Sequence, residues 1–157
     1  MFIVPDIKHV TATAKVKGKI SATSKTSSVV LFPKFTILVF EHPGPDNEPG
    51  FQAACLEYGL FHWADDPRKA TVELVHLTAH FIAEFIKQNQ SEKITALVQN
   101  DFMAPFWSLY RSLELMTNKK KSRDNISVKQ ETVDPGIKIE RETIAYTPYT
   151  PADMAFA

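Results

Sequence analysis

Glycine and cysteine are scarce in this chain, with five glycines and one cysteine among 157 residues. So few glycines leave little material for a phosphate cradle built from backbone amides. No GxGxxG, Walker-type or GxSxG motif is present. A single cysteine, Cys55, excludes an intrachain disulfide framework and a thiolate metal cluster. No stretch reaches about 18 consecutive apolar residues, so no membrane-spanning helix is expected. The opening MFIVPDIKHV lacks a charged start followed by an apolar run of signal-peptide length, which implies a cytoplasmic protein. Neither sign of charge dominates either, since 18 basic and 18 acidic residues cancel.

What is present is an ordinary globular composition, 44% hydrophobic and 23% charged. The length suits one domain spanning 1–157. Within it we distinguish a basic N-terminal β arm (1–34), a core (35–118) and a C-terminal hairpin and tail (119–157). Charge is unevenly spread. Residues 7–40 hold six lysines (Lys8, Lys15, Lys17, Lys19, Lys25, Lys34) and no acid, whereas residues 41–101 hold ten acids and four bases. A second basic patch consists of Lys119, Lys120, Lys121 and Arg123. Such asymmetry fits either an arm that meets an external anion or a basic segment folded onto the acidic middle.

Residues 10–22 alternate strictly, with Val10, Ala12, Ala14, Val16, Gly18, Ile20 and Ala22 on one face and Thr11, Thr13, Lys15, Lys17 and Lys19 on the other. This is a strand signal with a weak apolar face. FTILVF (35–40) is almost wholly apolar and rich in β-branched residues, as in a central strand covered on both sides. HPGPDNEPG (42–50) is a loop, FQAACLE (51–57) a strand, and LFHWA (60–64) a third strand of an antiparallel meander. A helix follows over 67–90, capped by Asp65 and Asp66 with Pro67 at its first position. Leu74, Val75, Thr78, Phe81, Ile82 and Phe85 form its buried face, and Glu73, His76, His80, Glu84 and Lys87 the opposite one. ITALV (94–98) fits either strand or helix. A second helix over 101–116 places Phe102, Phe106, Leu109, Leu113 and Met116 on one face. ISVKQETV, a DPG turn and IKIERETIAY then read as a hairpin.

His76 and His80 stand i, i+4 on a helix, a spacing that can grip a metal. Without a third ligand at metal spacing they read as a solvated face, and no metal or cofactor is expected. Cys55 lies mid-strand between Ala54 and Leu56 and reads as a small core hydrophobe rather than a nucleophile. Among the aromatics, Phe61, Phe102 and Phe106 read as core, and Trp63 as a ring closing a sheet edge. Trp107 and Tyr110 flank the apolar stripe and are candidates for contact with a partner protein. Lys15, Lys17, Lys19, Lys119, Lys120, Lys121 and Arg123 are the candidates for nucleic-acid contact.

Three segments, FTILVF, GFQAACLEYGLFHW and ADDPRKATVELVHL, follow one another as strand, strand–turn–strand and capped helix. In that order residues 35–88 resemble the HicB-like antitoxin domain. Asp65, Pro67, Ala70 and Leu74 stand where that family's helix-opening signature has its capping acid, proline, small residue and core leucine. Ala64, Asp66 and Arg68-Lys69 depart from it. The resemblance implies an α+β fold, an antiparallel sheet packed by two helices, with a partial ribonuclease-H-like core and extra terminal β segments. It also implies a non-enzymatic protein-interaction role, as an antitoxin that neutralises a small, basic ribonuclease toxin. The alternative is a small nucleic-acid-associated protein that uses its two basic segments, 15–25 and 119–123. Self-association is left open by both.

Overall fold

The structure, a computed structural model, describes residues 5–23, 28–88, 101–117, 124–128, 131–134 and 136–149. The α+β class is as expected. Its strands are β1 (Val10–Thr23), β2 (Ser28–Leu31), β3 (Lys34–Glu41), β4 (Phe51–Cys55), β5 (Leu60–Ala64), β6 (Asp124–Val128), β7 (Glu131–Asp134) and β8 (Ile137–Pro148). Among the described residues two α-helices, α1 (Pro67–Lys87) and α2 (Ala104–Thr117), fall between β5 and β6. All eight strands form one antiparallel sheet in the order β5-β4-β3-β1-β8-β6, with β2 pairing β1 beyond the end of β3 and β7 pairing β8 beyond β6.

This topology changes the reading of the two ends of the chain. β1 is no peripheral arm; it lies between β3 and β8 at the middle of the sheet. Its small apolar face buries little area per residue, but backbone ladders on both edges hold the strand. The alanines also let neighbouring layers approach, and Ala12 and Ala14 are fully buried. The strict alternation fails at one point. A β-bulge adds Thr11 between Val10, in register with Phe40, and Ala12, in register with Val39. One extra residue reverses the face of everything before it. Val10 accordingly packs in a different cluster from Ala12.

Among the described residues each face carries one α-helix. Ala12, Ala14, Val16 and Ile20 of β1, Phe35, Ile37 and Val39 of β3, and Ile139, Ile144 and Tyr146 of β8 pack with the inner side of α1. Leu38 and Phe40 of β3, with Ala54, Leu56 and Val10, pack with α2 on the other side. Residues 35–40 are therefore buried on both faces, as their almost wholly apolar run requires. The β7–β8 turn forms at the DPG sequence, with Gly136 at φ +92°.

α1 begins as expected, with Pro67 first and the Asp66 carboxylate accepting from the Lys69 backbone N–H at 3.0 Å. It ends at Lys87, three residues earlier than the sequence suggests. Leu74, Val75, Thr78 and Ile82 are buried, but Phe81 and Phe85 are half-buried at the flank, edge-on to one another at 5.0 Å. On α2 the buried stripe is shifted. Residues 101–103 form a 3-10 turn, so the α-helical face begins later, and Met103, Phe106, Tyr110 and Leu113 point inward. Phe102 is 52% exposed. ITALV, the tail from 150 and the side chain of Met116 lie outside the described residues. Among the described residues no helix is long and apolar enough to cross a membrane.

These positions set an order of stabilities. Leu74→Ala should cost about 2–5 kcal/mol, while Phe81→Ala should fall below the roughly 3–5 kcal/mol of a fully buried phenylalanine. Urea unfolding of both variants checks the order, and a larger loss at Phe81 would reverse the assignment of the α1 face.

Candidate functional site

The loop of residues 42–50 is built around one indole ring. Gly44 and Gly50 lie so close to Trp63 that a Cβ at either would run into its six-membered ring. The indole Nε1–H donates to the His42 carbonyl at 2.9 Å. Backbone bonds close the loop on itself, from His42 N–H to the Gly50 carbonyl (3.0 Å) and from Gly44 N–H to the Glu48 carbonyl (2.7 Å). Asp46 and Asn47 take positive φ, 58° and 59°. Aspartate and asparagine are the non-glycine residues that tolerate this region best.

Beside the clasped loop lies an open cleft of about 660 Å³, lined by His9, Glu41, His42, Pro43, Pro49, Gly50, Phe51 and Asp65. His9 Nδ1 lies 3.2 Å from a Glu41 carboxylate oxygen, and both side chains are about half exposed or more. Asp65 is exposed and 3.6 Å from Lys69 Nζ. Proline rings and a phenylalanine form apolar walls, while two imidazoles and two carboxylates supply acceptors and charge. Such a cleft suits a group that is cationic at its tip and apolar along its stem, held by carboxylates at the rim. Among the described residues no three His, Cys, Asp or Glu side chains are placed to hold a metal ion.

A second polar cluster lies on the α2 face. β4 ends at Cys55, and Glu57 completes the pairing of β3 with its side chain. The Thr36 N–H and hydroxyl donate to its carboxylate at 2.7 and 3.0 Å, and Leu56 N–H donates to the Thr36 carbonyl at 2.9 Å. Burial pushes the Glu57 carboxyl above its ordinary value, against the pull of these bonds and of Lys15. Lys15 Nζ stands 5.8 Å from the centre of the Tyr110 ring. Burial, and then Glu114, raise the Tyr110 phenol well above its usual range. Thr13 Oγ1 and Tyr149 OH share a hydrogen bond of 3.0 Å.

The residues singled out from sequence fall in separate places. Tyr110 is 5% exposed, so it offers no free ring at the surface, contrary to expectation. The later start of the α-helical face turns it inward. Trp107 is half-buried beside it, edge-on at 6.0 Å, with the Arg111 guanidinium 5.9 Å from its ring centre. Lys15, Lys17 and Lys19 are exposed on one face of β1, whereas Lys119, Lys120, Lys121 and Arg123 lie outside the described residues. His76 is half-buried and His80 exposed on α1. Cys55 is fully buried, its thiol pushed up to about 12 chiefly by burial and then by Glu57. His9, Glu41 and His42 were not among the sequence candidates. The one local signal for them was the pair of glycines bracketing the proline-rich loop.

No family model, curated protein or solved structure matches the chain.

Two outcomes follow from this geometry. Gly50→Ala should force Trp63 from its seat, costing on the order of 1–3 kcal/mol. A shift in tryptophan emission should accompany that loss, and unchanged emission and stability would refute the clasp. For Glu57, a carboxyl whose folded pKa exceeds the ordinary 4.5 contributes stability that is complete below 4.5 and is lost as pH rises through the folded value. Glu57→Gln keeps an acceptor for the Thr36 N–H and removes the charge. Its melting temperature relative to the wild-type protein should therefore rise between about pH 4 and about pH 7. A difference that stays constant or falls would contradict the burial argument.

Proposed function

We propose that this is a cytoplasmic protein that works by binding another protein, as a HicB-like interaction module without turnover of its own. Its partner on this reading is a small basic protein of the ribonuclease-toxin kind. The observation that carries the reading is the make-up of the loop end. Glu41 and Asp65 line a cleft walled by Pro43, Pro49 and Phe51. Asp46, Glu48 and Asp66 stand exposed in the same loop and at the adjoining start of α1. An apolar centre within a charged rim is the usual build of a non-obligate interface. The Trp63 clasp holds the loop before any partner arrives, which lowers the ordering cost of binding.

Two further features support it. The succession β3, β4, β5 and α1 has the strand–strand–strand–helix order on which the resemblance rests, and the proposal takes this unit as its partial ribonuclease-H-like core. The one thiol is buried with a raised pKa, which does not suit a nucleophile. Opposite charge across such an interface acts mainly on the rate of encounter.

The test is co-expression with the small basic protein encoded next to this one. The expected result is a co-purifying complex and relief of the neighbour's growth arrest. Glu41→Lys with Glu48→Lys should slow association about tenfold or more while changing dissociation less. Recovery of no complex, or an association rate indifferent to the double reversal, would end this reading.

A further inference from the structure

α2 covers only part of its side of the sheet. Phe106, Tyr110 and Leu113 lie with Leu38, Phe40, Ala54 and Leu56, on β3 and the end of β4. Beyond Lys15 the same side of β1, β8 and the start of β3 has no helix over it among the described residues. Strand alternation sends Lys15, Lys17 and Lys19 of β1, Lys34 of β3 and Lys138 of β8 to this face, and all five are exposed.

The pairing makes the face unusual. Lys17 is directly in register with Lys34. Like charges directly opposite one another destabilise a sheet. Nearby compensation reaches only part of the row. A bulge at Glu140 brings its carboxylate to 3.4 Å from Lys19, and Glu57 acts on Lys15. Among the described residues no ion pair reaches Lys17 or Lys34 to offset that juxtaposition, which an anionic partner would relieve.

We propose that this open sheet face binds the phosphate backbone of a nucleic acid. Alternate residues on a strand put successive ammonium groups of β1 roughly 6.6 Å apart, and Lys15 to Lys19 spans about 13 Å. A regular row of point charges fits a regular row of phosphates. Thr143 and Thr147, half-buried on β8, add hydroxyl donors beside the lysines, as backbone-contacting surfaces use. An acidic protein fits less well, because the exposed apolar side chains here, Val30 and Phe32, lie along the β2–β3 border of the lysine row and form no enclosed apolar centre of the kind protein interfaces need. Tyr110 is buried beneath Lys15, whereas Phe32, 67% exposed and opposite Lys19 in the common register of β2 and β3 on β1, adds a ring on which any base can stack. The binding is therefore indifferent to sequence.

The test measures binding of the full chain to labelled 20-nucleotide single-stranded RNA, single-stranded DNA and a DNA duplex across a salt series, with polyglutamate as the other polyanion. Lys17→Gln with Lys34→Gln removes the like-charge pair. The pair variant should keep or gain melting temperature, a readout that a structural role would move the other way. Its affinity for single strands should fall on the order of twentyfold at about 0.1 M salt, with the slope of log K against log salt reduced by roughly 1.4. Lys8→Gln with Lys69→Gln removes the same charge away from the face and should change neither. Equal or weaker affinity for the duplex assigns the site to single strands, and tighter duplex binding assigns the same phosphate contacts to double strands. The proposal fails if no oligonucleotide binds at low salt, if the Lys8/Lys69 variant loses as much, or if polyglutamate binds as tightly.

Discussion

β1 is hydrogen-bonded to β3 on one edge and to β8 on the other, and most of the molecule depends on that double pairing. It joins the three-strand meander to the C-terminal strands in a single sheet, so the cluster beneath α1 draws residues from β1, β3, β4, α1 and β8. The alanines of β1 contribute little apolar area, and area alone would hold the strand weakly. The backbone ladders bind it instead, and its small side chains leave room for the layers on either side. A bulky residue at Ala12 or Ala14 would meet a fully buried site with no space to give.

The same strand divides the chemistry of the protein. Its α1 side is apolar and closed, and its other side carries lysines into the open. Charge is thus separated across the fold, with acids in the loop and helix start at one end and cations along the exposed sheet face. The two proposals use these two regions separately. The clasped loop presents carboxylates around apolar walls, and the sheet face presents a row of ammonium groups bordered by the exposed Val30 and Phe32. Their different make-up is why one is assigned a protein and the other a polyanion.

Structural cost is visible where those regions are built. Asp46 and Asn47 hold positive φ in the loop, and Lys17 stands opposite Lys34 on the sheet. The Trp63 indole and the backbone bonds of the loop offset the first. Glu57 shows a third kind of compromise. A half-buried carboxylate stands in for a strand residue, and its hydrogen bonds to Thr36 satisfy an edge that β4 leaves open. Its raised pKa reflects the partial desolvation that this position demands.

Period and capping chemistry were enough to read much of the fold. The two-sided burial of residues 35–40, the meander, the Asp66 cap with Pro67, and the DPG turn are local properties, written in adjacent residues. Side-chain direction is local only while the backbone is regular. The bulge at Thr11 moved Val10 to the other face, and a 3-10 turn at 101–103 brought Tyr110 inward and left Phe102 exposed. Neither irregularity has a signature within its own segment. The candidate sites were less legible. His9, Glu41 and Asp65 are far apart in the chain and meet only because β3 pairs β1 and β4 and β4 pairs β5, while Gly44 and Gly50 acquire their meaning from the ring of Trp63. Alternation alone placed Lys15, Lys17 and Lys19 together. That Lys34 and Lys138 join them, and that α2 stops short of the row, was decided by strand register and helix packing, which depend on contacts between distant parts of the chain.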